Sequence, residues 1–160
     1  MSDTSIEVLV GQLLTQHKLT LAVAESCTGG LIGHRLTNVP GSSTYFLGGV
    51  MAYAYEAKER LLGVSHNTLY DHGAVSEETV REMAHGVRRV VGADIGVAVT
   101  GIAGPGGGLP GKPVGLTWVA ISTREGERAR HFVWTGDRFA NKEKSAEAAL
   151  ELVKEYLEGL

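Results

Sequence analysis

The stretch Ala24-Glu25-Ser26-Cys27-Thr28-Gly29-Gly30 constrains this chain more than any other. The apolar run Leu19-Thr20-Leu21-Ala22-Val23 leads into it, and a helix-like segment opens at Leu31. The order is strand, tight turn, helix start. A hydroxyl or thiol on such a turn is exposed. The first N–H groups of the following helix lack intrahelical acceptors and point toward it. Such donors can hold an anion, whether a phosphate or the oxyanion of acyl transfer.

The rest of the chain reads as one α/β domain over residues 1–160. Ile6, Leu9, Val10, Leu13 and Leu14 repeat at helical spacing up to His17. Thr20–Ala24 is a short buried strand, and Leu31–Thr37 a helix ended by Asn38-Val39-Pro40-Gly41. Ser42-Ser43-Thr44 is a polar loop. Phe46–Tyr55 is strand-like, with Gly48-Gly49 marking a bulge or close backbone approach. A short helix, Glu56–Leu62, stops at Gly63. Ser76 is a good N-cap, with Glu77 and Glu78 in the first turn of a helix running to about Val91. Ile95–Thr100 is a strand followed by a loop to Pro113. Val114–Thr123 and Arg130–Trp134 are strands joined by a hairpin at Arg124–Glu127, and Phe139–Leu157 is a long closing helix. This order predicts a three-layer α/β/α sandwich, its sheet mixed because the late strands form a hairpin.

Composition excludes several classes. A net charge of −3 gives no basic footprint for nucleic acid or an anionic membrane surface. Cys27 is the only cysteine, so no internal disulfide can form, and a reducing, cytoplasmic setting is expected. No signal peptide and no membrane-spanning run are expected from the apolar pattern. The six histidines show no metal-ligand spacing, so no metal is expected. Gly106 to Lys112 approaches a phosphate-binding loop, but Pro113 replaces the magnesium-binding hydroxyl, and a strand rather than a helix follows.

Ser26 is the leading nucleophile and needs a base; the alternative is that Ser26 and Thr28 only cap a helix. Cys27 is the rival nucleophile, or a small buried hydrophobe. Lys58, after Tyr53 and Tyr55, could serve as base if burial depresses its pKa. By pattern alone it fits better the solvated face of a short helix beside Glu59 and Arg60. Thr100-Gly101-Ile102-Ala103-Gly104-Pro105 ends a strand with a loop suited to close backbone approach by a phosphate. Arg138, before the last helix, could pair with a phosphate or carboxylate, or with Asp137 at the surface.

AESCTGG (Ala24–Gly30), PGSS (Pro40–Ser43), Tyr53 with EAK (Glu56–Lys58), GAVS (Gly73–Ser76), TGIAGPGG (Thr100–Gly107), KPVG (Lys112–Gly115) and GDR (Gly136–Arg138) occur in this order. Together they resemble the CinA C-terminal domain family, whose enzymatic members are nicotinamide-nucleotide amidohydrolases. The chain is similar to the stand-alone type that lacks an N-terminal molybdopterin-binding-like domain. The loop Gly108-Leu109-Pro110-Gly111 departs from the family by lacking acidic residues. The resemblance implies hydrolysis of the carboxamide of nicotinamide mononucleotide to nicotinic acid mononucleotide and ammonia, with no cofactor. It implies Ser26 as nucleophile, Lys58 as base and Tyr53 as assistant in proton transfer. It further implies that Thr28, Gly29 and Gly30 line the oxyanion and substrate pocket. Ser42, Ser43, Thr100, Gly101, Ala103, Gly104, Pro105 and Arg138 would contact the substrate, with Tyr53 or Tyr55 stacked on its pyridinium. The expected partner is a small pyridine nucleotide, and a homo-oligomer is expected. The competing reading from the same resemblance is a non-catalytic nucleotide-binding module linked to competence or damage responses. A third reading is a cysteine-dependent amidase acting on another nucleotide.

Overall fold

Leu21–Glu25 (β1) is buried at all five positions, which only a strand covered on both faces can be. The computed structural model, which describes residues 5–160, places β1 inside a five-stranded sheet. Its other strands are Phe46–Met51 (β2), Ile95–Gly101 (β3), Leu116–Thr123 (β4) and Gly126–Val133 (β5), in the order β2-β1-β3-β4-β5. β2, β1 and β3 are mutually parallel, β4 runs antiparallel to β3, and β5 antiparallel to β4. The sheet is therefore mixed, as the hairpin pattern predicts.

Helices cover both faces. Ile6–His17 (α1), Leu31–Thr37 (α2) and Arg138–Glu158 (α6) pack on one side, where Val10, Leu14, Ile32, Leu36, Leu150 and Val153 meet Val23, Val97 and Val119. Tyr55–Leu62 (α3), His66–His72 (α4) and Glu77–Val91 (α5) pack on the other, around Leu62, Leu69, Met83 and Val87. Each such fully buried aliphatic side chain contributes about 1.5–3 kcal/mol. α3 and α5 approach so closely that a Cβ on Gly86 would lie 1.8 Å from Leu62 O. The α5 cap is as expected: Ser76 Oγ accepts from Thr79 N–H at 3.2 Å. α6 is capped by Asp137, whose Oδ1 accepts from Ala140 N–H at 2.8 Å. Such caps are worth about 1 kcal/mol each.

The parallel register levels Glu25 with both Met51 and Val99. The segments after β1, β2 and β3 therefore open at one end of the sheet. β2 and β3 lie on opposite sides of β1, so the chain reverses its strand order there, and a crevice forms at such a switch point.

Several boundaries differ from expectation. β2 stops at Met51, and Tyr55 is the first residue of α3 rather than the end of a strand. Ser42–Thr44 is a 3-10 turn rather than an irregular loop. β5 starts at Gly126, because the charged residues Glu127, Arg128 and Arg130 early in this edge strand hide it from an apolar pattern. The sequence pattern does not predict α4: of its residues only Leu69 is buried, which is too little for a helical period to show. Among the described residues, no helix is long and apolar enough to cross a membrane.

Candidate active site

The turn after β1 is held by the residue before Ser26. Glu25 is buried, and its carboxylate accepts from Thr28 Oγ1 at 2.6 Å and from the N–H groups of Gly30 at 3.2 Å, Ile32 at 2.9 Å and Gly33 at 2.9 Å. A carboxylate there stabilises the positive end of α2. This corrects one expectation: Glu25 already occupies the first donors of α2, so they are closed to an external anion. Gly29 and Gly30 take positive φ of 60° and 102°, which carries the chain from the turn into the helix.

Ser26 is buried except at a cavity of about 310 Å³, and its Oγ lies 3.0 Å from Lys58 Nζ. Lys58 projects inward from α3 and is 1% exposed. It also donates to Ala52 O at 2.9 Å and Tyr53 O at 3.1 Å. Burial holds its pKa down, from 10.5 to about 8. A neutral amine has two N–H groups and one lone pair. The two carbonyls satisfy the former, which leaves the lone pair for the Ser26 hydroxyl. The solvated-face alternative for Lys58 is thereby overturned.

Cys27 lines the same cavity but is 7% exposed, and burial pushes its thiol up to about 12. It is a protonated thiol at neutral pH, and a poor nucleophile. Tyr53 lines the cavity too and is 67% exposed. It meets Lys58 through its carbonyl, while its hydroxyl accepts from Arg138 Nη2 at 3.4 Å. Arg138 Nη1 also donates to Gly104 O at 2.7 Å. Arg138 makes no ion pair among the described residues, including the neighbouring Asp137. The wall opposite comes from Thr100, Gly101, Ala103 and Gly104.

Other expected residues lie elsewhere. Thr28, Gly29 and Gly30 line a second hollow, with His34, Phe139 and Lys142, on the far side of the turn. The Gly29 and Gly30 N–H groups are already engaged by Ser26 O and Glu25. Tyr55 is turned away from the cavity: its hydroxyl accepts from Ala74 N–H at 3.2 Å and its ring meets Tyr70 edge-on. Ser42 and Ser43 precede β2 at the opposite end of the sheet and do not reach the cavity within this chain. Pro105 is exposed and outside the lining.

Sequence reasoning missed four contributors. The motif reading gives Glu25 no role of its own, although a carboxylate just before a turn into a helix is a capping signal. Ala74 and Val75 line the cavity, their loop anchored where Ser76 Oγ and Thr79 Oγ1 donate to Gly73 O. Asn141 is buried and bridges Ala103 O and Gly136 N–H, both at 3.0 Å, tying the glycine-rich loop to α6. A lone asparagine within a helical pattern offered no signal. Among the described residues, no three His, Cys, Asp or Glu side chains converge as a metal site.

A family model described as the CinA C-terminal domain matches residues 3–157. A CinA-like protein from Chloroherpeton thalassium is 51% identical over 160 residues, covering 98% of this chain. The chain spans only 38% of that relative's length. Among solved structures, competence damage-inducible protein A from Klebsiella pneumoniae superposes with a TM-score of 0.92 at 36% identity, covering 95% of this chain and 94% of that one. Competence/damage inducible protein CihA from Agrobacterium tumefaciens gives a TM-score of 0.87 at 40% identity over 99% of both chains.

Proposed function

Because the chain belongs to the CinA C-terminal domain family, we propose that it acts as that family's amidohydrolases do. It hydrolyses the carboxamide of nicotinamide mononucleotide to nicotinic acid mononucleotide and ammonia. The observation that carries this reading is the contact of 3.0 Å between Lys58 Nζ and Ser26 Oγ at the cavity floor.

Ser26 Oγ attacks the amide carbonyl while Lys58 takes its proton. The carbonyl π pair moves onto oxygen, giving a tetrahedral oxyanion. As that intermediate collapses, Lys58 passes the proton to the leaving nitrogen, the C–N bond breaks and ammonia departs. The product is an ester on Ser26. Water then attacks the ester and gives its proton to Lys58. Collapse frees the carboxylic acid, which loses its remaining proton to solvent as the carboxylate, and Lys58 returns the other proton to Ser26. Two moderate barriers replace one high one. A base with pKa about 8 is matched to this work near neutral pH.

The remaining residues suit the rest of the substrate. Arg138 has no carboxylate partner among the described residues, lines the cavity and donates to Gly104 O, and its guanidinium suits the phosphate. The exposed Tyr53 ring offers a face to the cationic pyridinium, whereas the Tyr55 ring is committed to Tyr70. The high thiol pKa of Cys27 disfavours the cysteine-dependent reading. The test is ammonia release by the purified chain against a panel of nicotinamide compounds, with nicotinamide mononucleotide expected to turn over fastest. Stabilisation by the mononucleotide without ammonia release would instead identify a binding module.

A further inference from the structure

The motifs Gly73–Ser76 and Lys112–Gly115 take no part in the bond-making above, yet one side chain joins them. We infer that Lys112 is a positioning residue: its ammonium straps the glycine-rich loop after β3 to the Gly73–Ser76 segment, and so holds two walls of the Ser26 cavity together. The kinetic consequence rests on the amide-hydrolase reading; the strap itself does not.

The loop is pinned at its base. Ile102 N–H donates to Leu116 O at 2.9 Å, and Gly115 N–H to Ile102 O at 2.7 Å. Asn141 and Arg138 hold the carbonyls of Ala103 and Gly104. From Pro105 to Gly111 the chain is exposed, and Gly106 and Gly107 line the cavity. The far end closes on itself. Leu109 and Lys112 exchange main-chain hydrogen bonds at 2.9 and 2.8 Å across Pro110-Gly111. Gly111 takes a φ of 76°, as the third residue of a type II turn requires. Among the described residues, the one hydrogen bond from residues 105–112 to another element is Lys112 Nζ donating to His72 O.

The receiving side suits an ammonium. His72 is the last residue of α4, so its carbonyl has no intrahelical donor and lies at the negative end of the helix. Gly73 follows with a φ of 86°, and a Cβ there would lie 2.6 Å from Lys112 Nζ. The contact exists because position 73 carries no side chain. The segment is itself fixed: Gly73 O accepts from Ser76 Oγ at 2.9 Å and Thr79 Oγ1 at 2.7 Å, and Ala74 O from Thr100 Oγ1 at 2.9 Å. Ala74 and Val75 line the cavity, whereas Lys112 does not. Lys112 therefore acts through the walls it joins.

Without the strap, the loop is held only at its base and spends part of its time open. Apparent affinity then falls by the fraction of time spent closed. Ser26 and Lys58 are held together by hydrogen bonds in which this loop has no part, so the loss falls on KM rather than on kcat.

The test compares folded wild type, Lys112→Met and Lys112→Arg. Lys112→Met is expected to raise KM for nicotinamide mononucleotide by about 5- to 20-fold with kcat within about twofold, as a closed fraction of about one in ten would do. The nucleoside without phosphate should show the same rise, because Lys112 lies outside the cavity lining. Lys112→Arg keeps a charged donor and should stay within about threefold of wild type. A second readout needs no turnover. Cys27 lines the cavity, and its alkylation by iodoacetamide at fixed pH should be at least about fivefold faster in Lys112→Met. If the wild-type chain releases no ammonia, the amide-hydrolase reading fails, and the alkylation rates alone decide the strap. An unchanged KM or alkylation rate, a loss in kcat instead of KM, a rise in KM confined to the phosphate-bearing substrate, or equal losses in both variants would each overturn it.

Discussion

Lys58 Nζ lies 3.0 Å from Ser26 Oγ across 32 residues of chain, and its other two partners are main-chain carbonyls rather than carboxylates. A carboxylate partner would hold the ammonium charged. Two neutral carbonyls inside a buried pocket let it deprotonate, and that is what fits this lysine to act as a base.

The rate should therefore follow the ionisation of Lys58. Below its pKa the amine is protonated and cannot accept the Ser26 proton. We expect kcat/KM to rise with pH and level off above about 8. Lys58→Arg, which stays protonated, should be inactive throughout. A pH–rate profile of both proteins checks this; a flat wild-type profile between pH 6 and about 9 would contradict it.

The same burial has a thermodynamic consequence of definite sign. The folded pKa is about 8 against 10.5 for the free side chain, so between those values the unfolded chain binds more protons than the folded one. Stability should rise with pH across that window, by about 3 kcal/mol for this group. That contribution is fully present above 10.5 and lost as pH falls through about 8. Urea titrations at several pH values, with Lys58→Met as reference, isolate the term, because the variant should lack that rise.

Cys27→Ala should retain most of the wild-type rate, within about threefold, since a thiol with pKa about 12 takes no nucleophilic part. Iodoacetamide at neutral pH should alkylate the native protein slowly. Rapid alkylation that abolishes turnover would return the nucleophile's role to Cys27.

Arg138→Ala should raise KM for nicotinamide mononucleotide by about 10- to 100-fold and leave kcat within a few-fold, because a phosphate contact binds ground and transition states alike. The nucleoside without phosphate should be indifferent to the substitution. Steady-state kinetics on both compounds decide it.

Local features of the fold were legible in the sequence, and long-range ones were less so. The β1 strand, the Ser26 turn and α2 are encoded by adjacent residues. The α5 cap at Ser76 and the mixed sheet follow from equally local patterns. Lys58 was ambiguous because its neighbours Glu59 and Arg60 give α3 a polar appearance, and the carbonyls that draw it inward are set by where β2 ends. The apolar pattern puts Tyr55 at the end of a strand because it runs on four residues past Met51, where β2 stops. Ser42 and Ser43 sit in a motif whose shared residues say nothing about which end of the sheet they occupy. Asn141 acts through two main-chain groups, Ala103 O and Gly136 N–H, that only the folded loop brings to it.

The most direct test is the initial rate of ammonia release from nicotinamide mononucleotide by Ser26→Ala, measured beside wild type on protein that melts at the wild-type temperature. The expected result is a loss of at least about three orders of magnitude, the order typical when a nucleophile is removed from a site that still binds its substrate. A folded Ser26→Ala protein that releases ammonia at the wild-type rate would contradict the assignment of Ser26 and Lys58 as the hydrolytic pair.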